Sequence, residues 1–226
     1  KRNLLVRLLK MLFYQLVDTF QTFRAKGWRA GLTRLVKTTR RVFYSRDEFI
    51  VLAKALFPAD PPPDPLPGLI VRRLITQTEV ASLEPLAGAT DMVRFQRMFK
   101  LGAVVFGAFL EGQVIGWGWL TDKIDPQTNR VQAPLRPGDA CLYDLFVAPA
   151  FRKQGIAQRL VASRLQFLSA HGYQRSVITC SKDNPAALKV AQRAGYLKIG
   201  ESCHTRFLFW DRYEYKPSEL EELYGV

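Results

Sequence analysis

An α/β (α+β) domain preceded by a basic helical extension is the fold class this sequence predicts, on three observations. Beyond Gly68, short β-patterned apolar runs and 3.6-period amphipathic runs take turns along the chain, the pattern of strands interleaved with helices. The first 46 residues instead carry helical periodicity throughout, with 12 Lys/Arg against the single Asp18. Between the two lies "FPADPPPDPLPG", Phe57 to Gly68, which holds six of the 13 prolines and cannot be helix or interior strand. The organisation read from this is a helical extension over 1–57, a stiff linker over 58–68 and a folded domain over 69–226.

Each element has its own signal. Leu4, Leu5, Leu8, Leu9, Leu12, Phe13, Leu16, Val17, Phe20 and Phe23 recur at helical spacing, with Arg7, Lys10 and Asp18 on the other half of the wheel. Gly27 ends or bends that helix, and a second pattern follows with Trp28, Leu32, Leu35, Val36, Val42 and Phe43 on one face. "FIVLAKAL", Phe49 to Leu56, adds an element to either side. "GLIVRRLIT" reads as a strand, Thr76 to Lys100 as two helices split near Gly88, and Ala103 to Thr121 as a hairpin turning at Glu111 and Gly112. After the polar loop Pro126 to Asp139 come a strand over "ACLYDLFVA", a helix from Ile156 to His171, a strand over "RSVITC", and a helix from Pro185 to Ala194. Two last strands are predicted around Leu197 to Glu201 and Thr205 to Trp210.

Composition excludes several classes. The net charge of +13 resides mostly in residues 1–46, which contribute +11 and leave the rest of the chain nearly neutral. Apolar faces this rich in Leu and Phe suit the protein's own body, a sister chain, or an anionic membrane surface that the cations would meet. They suit nucleic acid poorly, and no recognition motif accompanies them. No apolar run reaches the length of a membrane span. Cys141, Cys180 and Cys203 form neither a disulfide framework nor, with His171 and His204, a metal-ligand spacing, so no metal site is expected. Unpaired thiols point to a reducing cytoplasm, peripheral to a membrane if the extension docks on one. The chain opens on Lys1 rather than Met, which leaves a processed leader open.

The chemistry concentrates at "FRKQGIAQRL", Phe151 to Leu160. A helix start presents unsatisfied N–H groups and the positive end of the helix dipole, a cradle for phosphate. Gly155 has no side chain to block close approach, Ala157 is small, and Arg152 and Lys153 add charge. The segment Arg152-x-x-Gly155-x-Ala157 resembles motif A (R/Q-x-x-G-x-G/A) of the GNAT superfamily of N-acetyltransferases. "LFVAPAF", with Val147 and Pro149, is similar to that family's fourth strand and its exit. "NPAALKVAQRAGYLKIGE" is similar to its motif B, in which an asparagine, here Asn184, opens a helix closed by glycine and an aromatic, here Gly195 and Tyr196. The resemblance covers Leu69 to Trp210 and leaves residues 1–68 outside it.

The resemblance implies a mixed, mostly antiparallel central sheet flanked by helices and splayed where an acyl-CoA enters, with acetyl-CoA the expected co-substrate. The pantetheine arm would lie along Leu145, Phe146 and Val147. The pyrophosphate would rest on the turn Arg152, Lys153, Gln154, Gly155, Ile156 and Ala157. Asn184 would face the pantetheine near the thioester. The reaction implied is acyl transfer to an amine, the acceptor left open. Asp144 is the carboxylate available as base, with Tyr143 where the family often has Glu. The family's usual acid, a tyrosine seven residues after the asparagine, is replaced by Ala191, so Tyr143 or water is left to protonate the thiolate. The alternative is a catalytically weak or inactive subunit of this fold in a membrane-associated complex. Trp117 and Trp119 read as core or cleft wall, Tyr196 as core, and Cys180 as no nucleophile.

Overall fold

The computed structural model describes residues 44–57, 66–124, 135–207, 210–219 and 221. The two amphipathic helices predicted within residues 1–43, most of the proline-rich stretch and much of the Pro126 to Asp139 loop therefore lie outside the described residues. The chain divides into a larger unit, Glu48–Cys203 with Glu214–Val226, and a smaller one that includes His204–Tyr213.

Eight strands and four helices are described: β1 (Tyr44–Ala55), β2 (Leu69–Leu74), α1 (Gln77–Ala81), α2 (Glu84–Lys100), β3 (Val104–Leu110), β4 (Gln113–Thr121), β5 (Asp139–Val147), α3 (Ile156–Ala170), β6 (Arg175–Ser181), α4 (Pro185–Arg193), β7 (Leu197–Phe207) and β8 (Trp210–Pro217). They form one sheet in the order β2-β3-β4-β5-β6-β1-β7-β8. The pairs β2/β3, β3/β4, β4/β5 and β1/β6 are antiparallel and β5/β6 is parallel. The sheet is therefore mixed and mostly antiparallel, as expected.

Helix boundaries follow local chemistry. Thr76 caps α1 by accepting from the Glu79 N–H at 3.1 Å, while the Glu79 carboxylate returns to the Thr76 N–H, a complete capping box. Gly88 interrupts α2 with non-helical angles, where the sequence places a split between two helices. Packing is two-sided. Ile156, Leu160, Val161, Leu165 and Leu168 of α3 pack with Phe106, Ala108, Ile115, Leu120 and Leu142. Val80, Leu83, Met92, Phe95 and Met98 of α1, α2 and their link pack with Val105, Trp117 and Trp119. Adjacent β3 residues, Val105 and Phe106, join different clusters, as neighbours on opposite faces of a strand must.

Two readings need correction. The helical reading of 1–57 fails over Tyr44–Ala55, where Phe49 to Ala55 pairs with β6 residues Ser181 to Arg175. Val51, Leu52 and Ala53 are all buried, so the apolar run serves a strand covered on both faces, a run that periodicity cannot separate from a short helix. The two predicted final strands are largely one, β7, and a further strand, β8, begins at Trp210 and neighbours it in the sheet. Leu197 to Phe207 contains no helix-breaking or turn-forming pair after Gly200, and the strand runs through.

The parallel pair is pinned at its start. Arg175 donates through Nε to Asp139 Oδ1 at 2.9 Å and through Nη2 to Oδ2 at 2.6 Å, and the Arg136 N–H also donates to Oδ2. Both side chains are largely buried. Asp139→Ala strands a guanidinium in a poorly hydrated position and is expected to lower stability by about 3–5 kcal/mol, read as a drop in denaturant midpoint.

Candidate active site

The strand that carries the site leaves its neighbour half-way. Pairing of β5 to β6 runs from Asp139↔Arg175 to Leu142↔Ile178 and stops, although both strands continue. Beyond that point each is held from its far side: Phe146 and Val147 by Trp117 and Gly116 of β4, and Cys180 and Ser181 by Ile50 and Phe49 of β1. The result is a splay whose walls are β5 from Tyr143 to Val147 and β6 from Thr179 to Ser181.

A β-bulge sits at the start of the splay. Trp119 pairs with Tyr143 and Trp117 with Phe146, so Asp144 and Leu145 together oppose the single residue Gly118. Asp144 takes a left-handed backbone, φ 51°. The bulge changes the phase of the strand. Leu142, Leu145 and Val147 pack with α3, whereas Tyr143 and Phe146 pack with the α2 cluster. Simple alternation would have set Asp144 opposite Tyr143. Instead its carboxylate reaches α2, where Arg94 Nη2 donates to Oδ2 at 2.9 Å and also to Asp91 at 3.2 Å. Burial pushes the Asp144 carboxyl above its ordinary value, and Arg94 opposes that rise.

The turn after β5 is built as the motif requires. Pro149–Phe151 form a single 3-10 turn, Lys153 has φ 64°, and Gly155 has φ 78° and caps α3 with no side-chain bond. The Arg159 N–H, donating to the Gly155 carbonyl, begins the helical ladder, so the amides before it belong to the open end. A Cβ on Gly155 would lie 2.8 Å from Arg159 Nη1. Arg152, exposed, turns its Nε back to the Val147 carbonyl at 3.0 Å and Gln154 reaches the Ala150 carbonyl at 3.4 Å; both brace the turn. Lys153 is exposed, Ile156 is buried and contributes only its backbone, and Ala157 is half-buried against the core. The turn fits a phosphate: backbone amides, a left-handed glycine and nearby cations meet in one place.

Asn184 is exposed and caps α4, its Oδ1 accepting from the Ala187 N–H at 3.1 Å, which leaves its amide NH₂ as the group open to a ligand. Ala191 is fully buried. Tyr196 is buried and shares a 2.6 Å hydrogen bond with Ser176, and burial raises its phenol well above the ordinary value. Trp117 stacks on Phe146 at 4.5 Å and both tryptophans pack on Phe95. Burial raises the Cys141 thiol to about 12 and the Cys180 thiol to about 11, so neither is a thiolate near neutrality.

Two arginines escaped the sequence reading. Arg159 lies one turn into α3, over Gly155. Arg164 is 1 % exposed, and its signal was present: it falls midway between Leu160 and Leu168 on the apolar stripe, a charge at a core position.

Known proteins carry the same pattern. Residues 74–196 match the model of the acetyltransferase (GNAT) family, a span of more than half the chain. N-acetyltransferase 8 of Homo sapiens is 30% identical over 125 residues, 54% of this chain and 51% of that protein. N-acetyltransferase family 8 member 3 of Rattus norvegicus is 32% identical over 94 residues, 42% of this chain and 38% of that protein. The chain thus aligns with about half or less of the length of these curated relatives. A GCN5-related N-acetyltransferase from Sphaerobacter thermophilus shares the fold with a TM-score of 0.52 at 15% identity, covering 78% of this chain and 56% of that one. An X-ray structure of a Drosophila protein does so with a TM-score of 0.55 at 14% identity, covering 78% and 57%. By the family match, which spans the bulged strand, the Gly155 turn and the Asn184 cap, the chain belongs to the acetyltransferase (GNAT) family.

Proposed function

We propose that this protein is an acyl-CoA-dependent N-acyltransferase that moves acetyl from acetyl-CoA to an amine. One observation carries the reading: the β5/β6 splay runs directly into the Gly155 turn, so an extended arm and a pyrophosphate have adjoining places. Leu145, Phe146 and Val147 offer backbone to the pantetheine, the amides from Lys153 to Ala157 receive the pyrophosphate, and Asn184 lines the other wall.

In this reading Asp144 accepts a proton from the incoming ammonium, directly or through water, and the freed amine attacks the thioester carbon. β5 N–H groups stabilise the oxyanion, and the C–S bond breaks as the amide forms. With Ala191 buried at the usual donor position, the CoA sulfur departs as thiolate and takes its proton from water or from Tyr143. A thiol is acidic enough for that to be tolerable. Titration calorimetry with acetyl-CoA, followed by thiol release against a panel of small amines and lysine peptides, tests the assignment. Binding and turnover are expected; absence of binding at millimolar acetyl-CoA sinks it. Ala191 also favours a second reading, an acyl-CoA-binding subunit with little turnover, for which binding without thiol release is the result.

The basic residues of 1–46 support peripheral docking on an anionic membrane at the cytoplasmic side, with a protein partner the competing reading. Flotation with anionic but not neutral vesicles is the expected outcome for the first.

A further inference from the structure

The buried guanidinium of Arg164 has no place in the chemistry above, yet it touches the site at its most irregular point. Its Nε donates to the Leu160 carbonyl of its own helix at 2.9 Å. Its Nη1 donates to the Trp119 carbonyl at 2.9 Å and to the Tyr143 carbonyl at 3.4 Å, the two residues that face each other where the bulge begins. Opposite the bulge stands Gly118, and a Cβ there would lie 2.6 Å from Arg164 Cζ. The missing side chain is the space the guanidinium occupies. Among the described residues no group accepts from Nη2, which is also buried.

We propose that Arg164 is a positioning residue of this site: its guanidinium plugs the bulge from the α3 side and thereby fixes where the Asp144 carboxylate and the following β5 N–H groups point. A bulge frees carbonyls that a regular ladder would have satisfied, and a buried carbonyl needs a donor. Arg164 supplies one to each strand, so the phase change between Tyr143 and Leu145 is held by a side chain two turns into α3. The charge matters as well as the geometry. Arg164 remains a cation, its pKa lowered by burial only to about 10, and it faces Asp144, Cys141 and Tyr196. Asp144 in turn faces Arg94 and Asp91 from α2 and Arg164 from α3, beside Tyr143 on its own strand.

The inference rests on Asp144 being the base, and three variants of the full chain separate the two claims. Arg164→Lys keeps the charge but loses the planar group that ties the Leu160 carbonyl, through Nε, to those of Trp119 and Tyr143, through Nη1. Gly118→Ala keeps the arginine and pushes its guanidinium aside. Arg164→Met removes the charge at similar volume, a replacement that buried ion sites often accept. At saturating acetyl-CoA, Arg164→Lys and Gly118→Ala are each expected to lose about tenfold or more in kcat, the scale of a misplaced catalytic group. In Arg164→Met the Asp144 carboxyl, followed by ¹³C NMR and identified by its loss in Asp144→Asn, is expected to titrate at higher pH than in the parent, because one of the cations facing it is gone. A merely structural role predicts lower melting temperatures with that midpoint unmoved. Turnover within twofold of the parent in both Arg164→Lys and Gly118→Ala overturns the proposal, as does an unmoved midpoint in folded Arg164→Met. If the parent protein turns over no amine, the base assignment fails by itself and the NMR midpoint alone decides the positioning; if Arg164→Met does not fold, the midpoint in Gly118→Ala replaces it.

Discussion

Gly155→Glu is expected to abolish measurable CoA binding, a loss of at least about 100-fold or roughly 3 kcal/mol, while leaving the fold intact. Three effects act together. The residue sits at φ 78°, a left-handed backbone that costs an L side chain about 1–2 kcal/mol. Its Cβ would meet Arg159 Nη1 at 2.8 Å, so that guanidinium must swing away from the turn. The new carboxylate would occupy the positive end of the helix and draw in the same cation that a phosphate would use. The buried stripe of Ile156, Leu160, Val161, Leu165 and Leu168 is untouched, so α3 stays docked. Calorimetry with CoA and a circular-dichroism melt read the two halves of the statement; unchanged affinity in a folded variant refutes the phosphate cradle.

Asp144→Asn is expected to lower kcat by about 10²–10⁴, the usual worth of a general base, with CoA affinity within about twofold. Its pH behaviour follows from the direction of the shift. Burial raises the carboxyl above its ordinary 3.8, so the basic form arrives late and the acid limb of kcat/KM lies above that value. Arg94→Met removes the opposing charge and moves the limb to still higher pH. Stability runs the other way. The folded state holds this proton longer than the unfolded chain does, so the contribution is fully present below the unfolded pKa and is lost as pH rises through the folded one. The melting temperature of Asp144→Asn relative to the parent is therefore expected to be higher at pH 7 than at pH 3.5. A flat pH-rate profile in the parent, or full activity in Asp144→Asn, removes Asp144 from the chemistry.

What the sequence yields depends on how local each feature is. The strands β2 to β6, the helices α1 to α4 and the glycine turn are written in periodicity, caps and a six-residue motif, and each is found close to where the pattern puts it. β1 is not local: whether Phe49 to Ala55 is strand or helix depends on an open place beside β6, more than a hundred residues away. The bulge is the sharpest case. Nothing in "LYDLF" says that Asp144 is the extra residue; that follows from the offset between Trp117↔Phe146 and Trp119↔Tyr143, a property of two strands together. Arg164 lies between these extremes. A charge on the stripe of Leu160 and Leu168 marks an anomaly in one helix, but only Gly118 of another element shows what it fills.

The half-open pair of β5 and β6 has a consequence of another kind. A sheet ordinarily shows unpaired N–H and C=O groups only along its two outer strands, where an extended segment of another chain can add itself. Here two more such edges lie in the interior, beyond Leu142 and Ile178. The seam is selective for shape before it is selective for chemistry: an occupant must be thin, extended and able to match backbone groups, which describes a pantetheine arm and also a stray β-strand. Under the proposed assignment, cofactor and stray strand would compete for one slot. A pantetheine arm seated there, as proposed above, would pair both interior edges and complete the sheet.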